Sequence, residues 1–251
     1  MVGKLLKHDL VALFRLLLYF SCFALGFAIL SRILMTANDT LAYVFMLFSL
    51  YASIALIFVA FIGSLSRFYK SLFTGEGYMT FSLPVSVSKL LISKLLSAII
   101  VTLAGFVVFF ICLFILLTGL PADTFVEVMH ALGSLFDEIG ALLAYDPLIT
   151  VELVIMLLVA IPNSLLQFFF CLSLGQLFSK HRKGWTFAMV VLSIVVLNIL
   201  NAYCLMPILN VLSEVNGHLA LWGEIIVLAG LDVGYFFLIR YLLSHKLNLV
   251  V

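Results

Sequence analysis

"LLSAIIVTLAGFVVFFICLFILLT", residues 95–118, is the stretch that decides the fold, because it contains no charged side chain over its whole length. An α-helix of about 20 apolar residues crosses the hydrocarbon core of a bilayer. Five further stretches are long and apolar enough to do the same. The six predicted spans are residues 13–34, 41–64, 95–118, 148–178, 186–206 and 220–242. We therefore expect an all-α integral membrane protein with six transmembrane helices.

The composition of the whole chain points to the same class of protein. Hydrophobic residues make up 65% of the 251 residues and charged residues only 10%. A soluble domain has about 45–50% apolar and about 25% charged residues. The strict alternation of apolar and polar residues that marks the strands of a membrane β-barrel is missing. A single transmembrane domain over residues 1–251 is therefore predicted, with no soluble domain at either end.

The distribution of cations predicts the orientation of the spans. An even number of spans places both termini on one side, and all but Arg32 of the 13 Lys and Arg residues fall on that side. They are Lys4, Lys7, Arg15, Arg67, Lys70, Lys89, Lys94, Lys180, Arg182, Lys183, Arg240 and Lys246. Cytoplasmic loops are the ones enriched in Lys and Arg. Both termini are predicted to be cytoplasmic, and a short amphipathic helix is expected before the first span.

The largest outer loop lies between the third and fourth spans. Its stretch "FVEVMHALGSLFDEIGALLA", residues 125–144, places Glu127, His130 and Ser134 at helical spacing, with apolar residues on much of the other face. This is the pattern of an amphipathic helix that lies on a membrane or packs on a bundle. An extracellular amphipathic helix is predicted here, with capping of the bundle as the favoured role.

The longest stretch that does not resemble a membrane span is "SRFYKSLFTGEGYMTFSLPVSVSKLLISK", residues 66–94. Gly75 and Gly77 permit a turn, and Pro84 ends any incoming helix. We expect a short helix, a Gly-Glu-Gly turn and a second helix that is capped by a serine. Two interpretations remain open: the loop docks a cytoplasmic partner, or it folds back on its own bundle.

Motifs for enzymatic chemistry are missing from the chain. It has no His-Glu-x-x-His zinc pattern, no Gly-x-Ser-x-Gly elbow and no Gly-x-x-x-x-Gly-Lys-Ser/Thr phosphate loop. The five His residues never occur as a pair with ligand spacing, and the four Cys residues are predicted to be packing residues. We expect that the chain is not an enzyme and binds no metal, cofactor or nucleic acid.

Polar residues within the predicted spans are candidates for a substrate pathway. Asp232 lies near the middle of the last span, where an ionised acid costs about 2.5–3.5 kcal/mol on insertion scales. Its role stays open between a group on a transport or proton pathway and a carboxyl group that holds helices together. Four polar amides lie in the fourth and fifth spans, and for them helix packing is favoured. These amides are Asn163, Gln167, Asn198 and Asn201.

The loop 66–94 also carries a resemblance to a known family. The residues Tyr69, Phe73, Glu76-Gly77-Tyr78 and Phe81–Ser86 resemble the first cytoplasmic loop of bacterial permeases of the type-2 ATP-binding-cassette export family. The ending Lys246-Leu247-Asn248-Leu249 is similar to that of many members, although the final Val250-Val251 departs from it. Ser82 stands where Thr is usual. The resemblance extends over the whole chain in its six spans and its large outer loop.

This resemblance implies a role for each cytoplasmic loop. In such transporters the first loop contains a coupling helix that inserts into a separate ATPase subunit, which binds ATP and Mg. The implied coupling residues are Arg67, Phe68, Tyr69, Lys70, Phe73, Glu76, Gly77 and Tyr78, with a weaker contact through His181, Arg182 and Lys183. A second six-span permease, identical or different, would complete the pathway. The implied location is the bacterial cytoplasmic membrane.

The function expected from the sequence is that of a permease subunit in an ATP-driven exporter. Many Phe residues and few buried charges favour an amphipathic or hydrophobic cargo such as a peptide, a lipid-like molecule or a drug. The alternative is a membrane adaptor or sensor that transports nothing and recruits a cytoplasmic partner through the loop 66–94. An intramembrane enzyme and a secondary transporter are less favoured, because paired catalytic groups and matching broken helices are missing.

Overall fold

A computed structural model describes residues 2–35, 37–74, 77, 82, 85–120, 122–177 and 182–245. The regular secondary structure in these ranges is helical. The helices are α1 (Val2–Leu34), α2 (Asp39–Phe73), α3 (Val87–Thr118), α4 (Ala122–Tyr145), α5 (Pro147–Gly175), α6 (Arg182–Leu200), α7 (Met206–Val215) and α8 (Gly217–His245). A π-helical turn, Asn201–Leu205, joins α6 to α7.

Five of the helices, α1, α2, α3, α5 and α8, are long and apolar enough to cross a membrane. This confirms an α-helical chain with several membrane-capable helices. The predicted fifth span, residues 186–206, differs, because its apolar α-helical part is only Ala188–Leu200 before the π-helical turn begins. The count of six spans and the cytoplasmic position of the termini stay predictions.

Two predicted short helices are parts of longer ones. The amphipathic helix expected at the N-terminus is the beginning of α1, which continues without a break to Leu34. The short helix expected after the second span is the end of α2, which extends past residue 64 to Phe73. The predicted helix of the outer loop is present as α4, and its extracellular position stays a prediction.

The chain forms two compact units. One consists of Gly3–Arg67 and Leu96–Ala144, and the other of Met1–Val2, Phe68–Leu95 and Tyr145–Val251. Two of the borders between the units fall well inside α2 and α3, and the other two fall at the first residue of α1 and the last residue of α4. The two units are described separately below.

In the unit that contains Gly3–Arg67, small residues let α1, α2 and α3 approach closely. A core of Leu13, Leu17, Leu56, Ala60 and Val101 is at most 5% exposed. At Gly105 of α3, an added Cβ would lie 3.4 Å from the Cβ of Ala60. Close backbone approach at small residues is typical of helix pairs in membranes, where packing replaces the hydrophobic effect as the driving force.

In the other unit, α5 is the central helix. It packs along α8 and against α6, and α7 packs on α8. Phe169 of α5 and Ile239 of α8 are completely buried. Asp146 caps α5, because its Oδ1 accepts a hydrogen bond of 3.0 Å from the backbone N–H of Leu148. The polar residues of interest therefore lie on a helix that is fixed by its neighbours.

A bulky side chain at Gly105 should separate α3 from its neighbours. We expect Gly105→Leu to lower the free energy of unfolding by about 1–3 kcal/mol, the usual cost of overpacking. The measurement is the midpoint of thermal unfolding of the purified chain in a neutral detergent. The control is Gly26→Leu on α1, because a Cβ at Gly26 meets no described atom within 4 Å. Equal effects of the two substitutions would contradict the close contact at Gly105.

Candidate functional site

Two of the predicted pathway residues bind each other across α5 and α8. The Nδ2 of Asn163 donates a hydrogen bond of 3.0 Å to Oδ1 of Asp232 and a longer one, 3.4 Å, to the backbone oxygen of Leu228. Both side chains are half-buried. The carboxyl group of Asp232 therefore has a specific partner inside the bundle. This contact fits both predicted roles of Asp232, since a pathway group also has to be held in position.

A second side-chain amide on α5 faces α6. Gln167 lies four residues after Asn163, one turn further along the same face of the helix. It lines a cavity of about 290 Å³ together with Asn198 and the apolar residues Phe168, Ile194 and Leu197. The Nδ2 of Asn198 donates 2.8 Å to the backbone oxygen of Ile194 in its own helix. The fold thus brings Asp232, Asn163, Gln167 and Asn198 onto one central helix and its two neighbours.

Asn201 is the remaining predicted pathway residue. It opens the π-helical turn after α6, and its side chain lies outside the described residues. Single π-helical turns inside α-helices occur frequently at functional sites, because they widen the helix and rotate the following residues. The π-helical backbone that begins at Asn201 is therefore a candidate functional feature in its own right.

The proposed coupling segment, Arg67–Phe73, forms the last two turns of α2, and its aromatic face is buried in its own unit. The ring of Phe68 stacks on that of Phe169 with centroids 3.9 Å apart and planes 6° from parallel. Phe68 is 1% exposed and Phe73 is 8% exposed. The rings of Phe68 and Phe73 make an edge contact at 5.9 Å. Phe68 therefore packs on α5 and Phe73 packs on Phe68, as expected for a segment that folds back on its own bundle.

The other face of the same segment points outward. Lys70 is exposed, and Tyr69 is half-buried with its ring 5.8 Å from that of Phe73. Arg67 makes an ion pair with Asp9 of α1, with 3.1 Å between Nε and Oδ1. Asp9, which is 1% exposed, did not stand out in the sequence. Tyr69 and Lys70 therefore have side chains that a partner could reach without breaking an ion pair.

The rest of the predicted coupling set is described only in part. Glu76, Tyr78 and His181 lie outside the described residues. Gly77 is buried, and its backbone N–H donates 2.7 Å to the oxygen of Thr74. Arg182 and Lys183 begin α6, and their side chains are outside the description.

A cluster of charged residues that sequence reasoning missed joins the beginnings of α5 and α8. The Nδ1 of His218 lies 2.9 Å from Oε2 of Glu152, and its Nε2 lies 2.6 Å from Oδ2 of Asp146. Glu152 is 3% exposed although it lies inside a predicted span. The sequence did show an acid, Glu152, inside one predicted span and a histidine, His218, at the start of a later one. Reasoning from pairs of histidines did not detect it.

The geometry of this cluster assigns it a structural role. Each nitrogen of the imidazole ring faces a carboxylate oxygen, so with both acids ionised both nitrogens have to donate, and the ring has to carry a positive charge. Among the described residues, no group of three or more His, Cys, Asp and Glu side chains is placed to hold a metal ion. His218 therefore ties α8 to the cap and the first turns of α5.

No protein-family model, curated protein sequence or solved structure matches this chain. The family resemblance of the loop 66–94 therefore stays a prediction from its motif. The functional interpretation rests on that motif, on the aromatic contact between α2 and α5, and on the polar residues along α5.

The His218 cluster makes a prediction about stability. We expect His218→Gln to lower the midpoint of thermal unfolding, because the buried carboxylate of Glu152 loses its cationic partner. Adding Glu152→Gln to this variant should restore part of the loss by removing the unpaired charge. The exposed residue His130 offers the matched control, His130→Gln, with an expected change near zero. A double variant that is less stable than His218→Gln alone would contradict the assigned pairing.

Proposed function

We propose that this chain is the membrane-spanning permease subunit of an ATP-driven exporter of the type-2 ATP-binding-cassette family. A separate ATPase subunit would bind ATP and Mg and supply the energy. The cargo would be amphipathic or hydrophobic, and the location would be the cytoplasmic membrane of a bacterium. The motif of the loop 66–94, the membrane-capable helices and the contacts at the end of α2 support this proposal.

The observation that carries the proposal is the stack of Phe68 on Phe169. A permease of this kind has to convert movement of a cytoplasmic segment into movement of the helices that line the pathway. Phe68 lies in the proposed coupling segment, and Phe169 lies on α5 two residues after Gln167. Two buried, stacked rings transmit a displacement of one helix to the other, because a close-packed interior has low compressibility. The stack thus links the segment directly to the helix with the polar residues.

The ATPase would contact the exposed face of the same segment. Lys70 and Tyr69 offer a cation and an aromatic ring, while Phe68 holds the segment on α5. Coupling then consists of a difference in the affinity of the ATPase for two conformations of the bundle. A segment that is anchored on one face and accessible on the other suits this task.

A second permease would need an open helix face, and α8 has one. Gly230 and Gly234 form the Gly-x-x-x-Gly pair that favours close helix contact. A Cβ added at either glycine meets no described atom within 4 Å. Val233 and Phe237, which flank the pair, are each 57% exposed. This face supports association with another copy or a related chain.

The cavity between α5 and α6 supports an amphipathic cargo. Its lining combines the amides of Gln167 and Asn198 with Phe168, Ile194 and Leu197. Small-molecule sites are typically apolar with a few polar groups that fix the orientation of the ligand. Asn163 lies one turn before Gln167 on α5, and it binds Asp232 of α8, so polar side chains extend from this cavity to α8.

The alternative function is a membrane adaptor or sensor that recruits a cytoplasmic partner through the loop 66–94. It is favoured by one observation: Asn163 and Asp232 bind each other and so have a packing role that needs no cargo. The adaptor and the permease differ in one measurable respect. Only a permease changes the rate of ATP hydrolysis by its bound ATPase.

The accessible face of the coupling segment should determine recovery of the ATPase. In a mild-detergent pull-down of the tagged chain from its native membranes, we expect mass spectrometry to detect an ATP-binding-cassette ATPase. Replacement of both Tyr69 and Lys70 by Ala should reduce its recovery at least about tenfold, the effect of roughly 1.4 kcal/mol. Tyr241→Ala, at another exposed tyrosine, serves as the control. Recovery of no ATPase from wild-type membranes would favour the adaptor.

Loss of the stack between Phe68 and Phe169 should reduce the stimulation of ATP hydrolysis without weakening binding of the ATPase. We expect Phe169→Leu to leave recovery of the ATPase unchanged, because Phe169 is buried and away from the accessible face. Stimulation of ATP hydrolysis by the chain in reconstituted vesicles should fall severalfold, because the flat ring contact is lost. The adjacent Phe170→Leu, whose ring faces Tyr235 of α8 instead, should retain more of the stimulation. An unchanged rate in Phe169→Leu would contradict transmission through the stack.

A further inference from the structure

One face of α1 begins as a row of cations. The face consists of Lys4, Lys7, Val11, Ala12 and Arg15. Each of these residues lies three or four positions from another one. Residues at such intervals project from the same side of an α-helix. All five side chains are exposed. The row is therefore accessible along about three turns of the helix.

Arg67 of α2 extends this row into a groove. Its Nε donates to Asp9 at 3.1 Å, and its Nη2 donates to Nδ1 of His8, also at 3.1 Å. Because Asp9 is buried, the guanidinium group is held in place at the side of α1. The resulting groove has a volume of about 440 Å³ and is lined by four Lys and Arg side chains, a histidine, Val11 and Ala12. Lys4, Lys7, Arg15 and Arg67 give the groove a net positive charge, which the buried Asp9 offsets only in part.

The same face of α1 becomes apolar immediately beyond Arg15. Leu18 is 59% exposed and Tyr19 is 63% exposed, and Val11 within the groove is 52% exposed. The predicted first span starts at residue 13, so Lys4 and Lys7 precede it and Arg15 lies in its first turn. A ligand that matches this face has an anionic group at one end and a long apolar part at the other. A free phosphate satisfies only the cationic half.

We propose that the groove of Lys4, Lys7, Arg15 and Arg67 is a binding site for an anionic phospholipid, with its phosphate among these cations and its acyl chains along the apolar face of α1. Arginine forms paired hydrogen bonds with phosphate, and lysine contributes a point charge. Basic clusters beside a transmembrane helix attract anionic lipids with about 1 kcal/mol for each Lys or Arg. The fixed Arg67 and the groove that the four cations share distinguish this site from scattered surface cations. The inference is independent of the proposed export function.

The test is native mass spectrometry of the full chain in a neutral detergent, titrated with phosphatidylglycerol or with phosphatidylcholine. Wild-type protein should retain phosphatidylglycerol in preference to phosphatidylcholine. The variant Lys7→Gln/Arg15→Gln should weaken binding of phosphatidylglycerol about tenfold or more, from the loss of two cations. The matched control, Lys89→Gln/Arg240→Gln, removes two exposed cations outside the groove and should bind like the wild type.

Further arms separate the possible outcomes. The charge-conserving variant Lys7→Arg/Arg15→Lys should retain the lipid, because both positions keep a cation. Loss of the lipid in this variant would overturn recognition by charge at these positions. Inorganic phosphate at millimolar concentration should not displace phosphatidylglycerol. Displacement by phosphate would overturn the role of the apolar face and leave a phosphate site. Equal losses in the groove variant and the control variant would overturn the site itself, because they would show only a general effect of charge.

Discussion

Inside the hydrocarbon of a membrane, every backbone N–H and C=O group has to find its hydrogen-bond partner within the protein. This requirement accounts for the long helices of the chain, which continue through positions where a soluble helix often ends, such as Pro162 within α5. It also accounts for many buried serines. Ser31 and Ser64, for example, donate to backbone oxygens three and four residues earlier in their own helices. Such side chains need no partner from another helix, so neighbouring helices can pack closely against them.

Larger polar side chains also need hydrogen-bond partners inside the protein, and they find them on other helices. Asn163 binds Asp232, His218 binds Glu152, and Arg67 binds Asp9, each pair between helices that are far apart in the sequence. Apolar surfaces of membrane helices are nearly interchangeable, because lipid chains are as apolar as leucine. Polar pairs are specific, and they therefore decide which helices lie together. The functional proposals depend on this specificity, since it fixes the face that α5 turns toward α8.

The sequence predicted the helical class and five membrane-capable helices of the described residues, because the thickness of the hydrocarbon demands a minimum apolar length that can be counted. It also singled out Asp232 and Asn163, since polar residues inside a span are costly. It did not predict that these two bind each other, because 69 residues separate them and no local pattern records the contact. Glu152 was missed because an apolar average over the fourth span conceals one acid. Phe68 and Phe73 count as aromatic residues of a loop until the direction of each side chain around α2 is known.

The link between Glu152 and His218 has a consequence for biosynthesis. Glu152 precedes His218 by 66 residues, so the ribosome adds Glu152 to the chain well before it adds His218. At about 5–20 residues per second, the interval is roughly 3–13 seconds. During this time α5 is available for insertion with an acid that has no histidine to bind, and the Asp146 at its cap waits equally long. The first turns of α5 are therefore completed only when α8 has been made, so the pairing of these two helices is a late event in the synthesis of the protein.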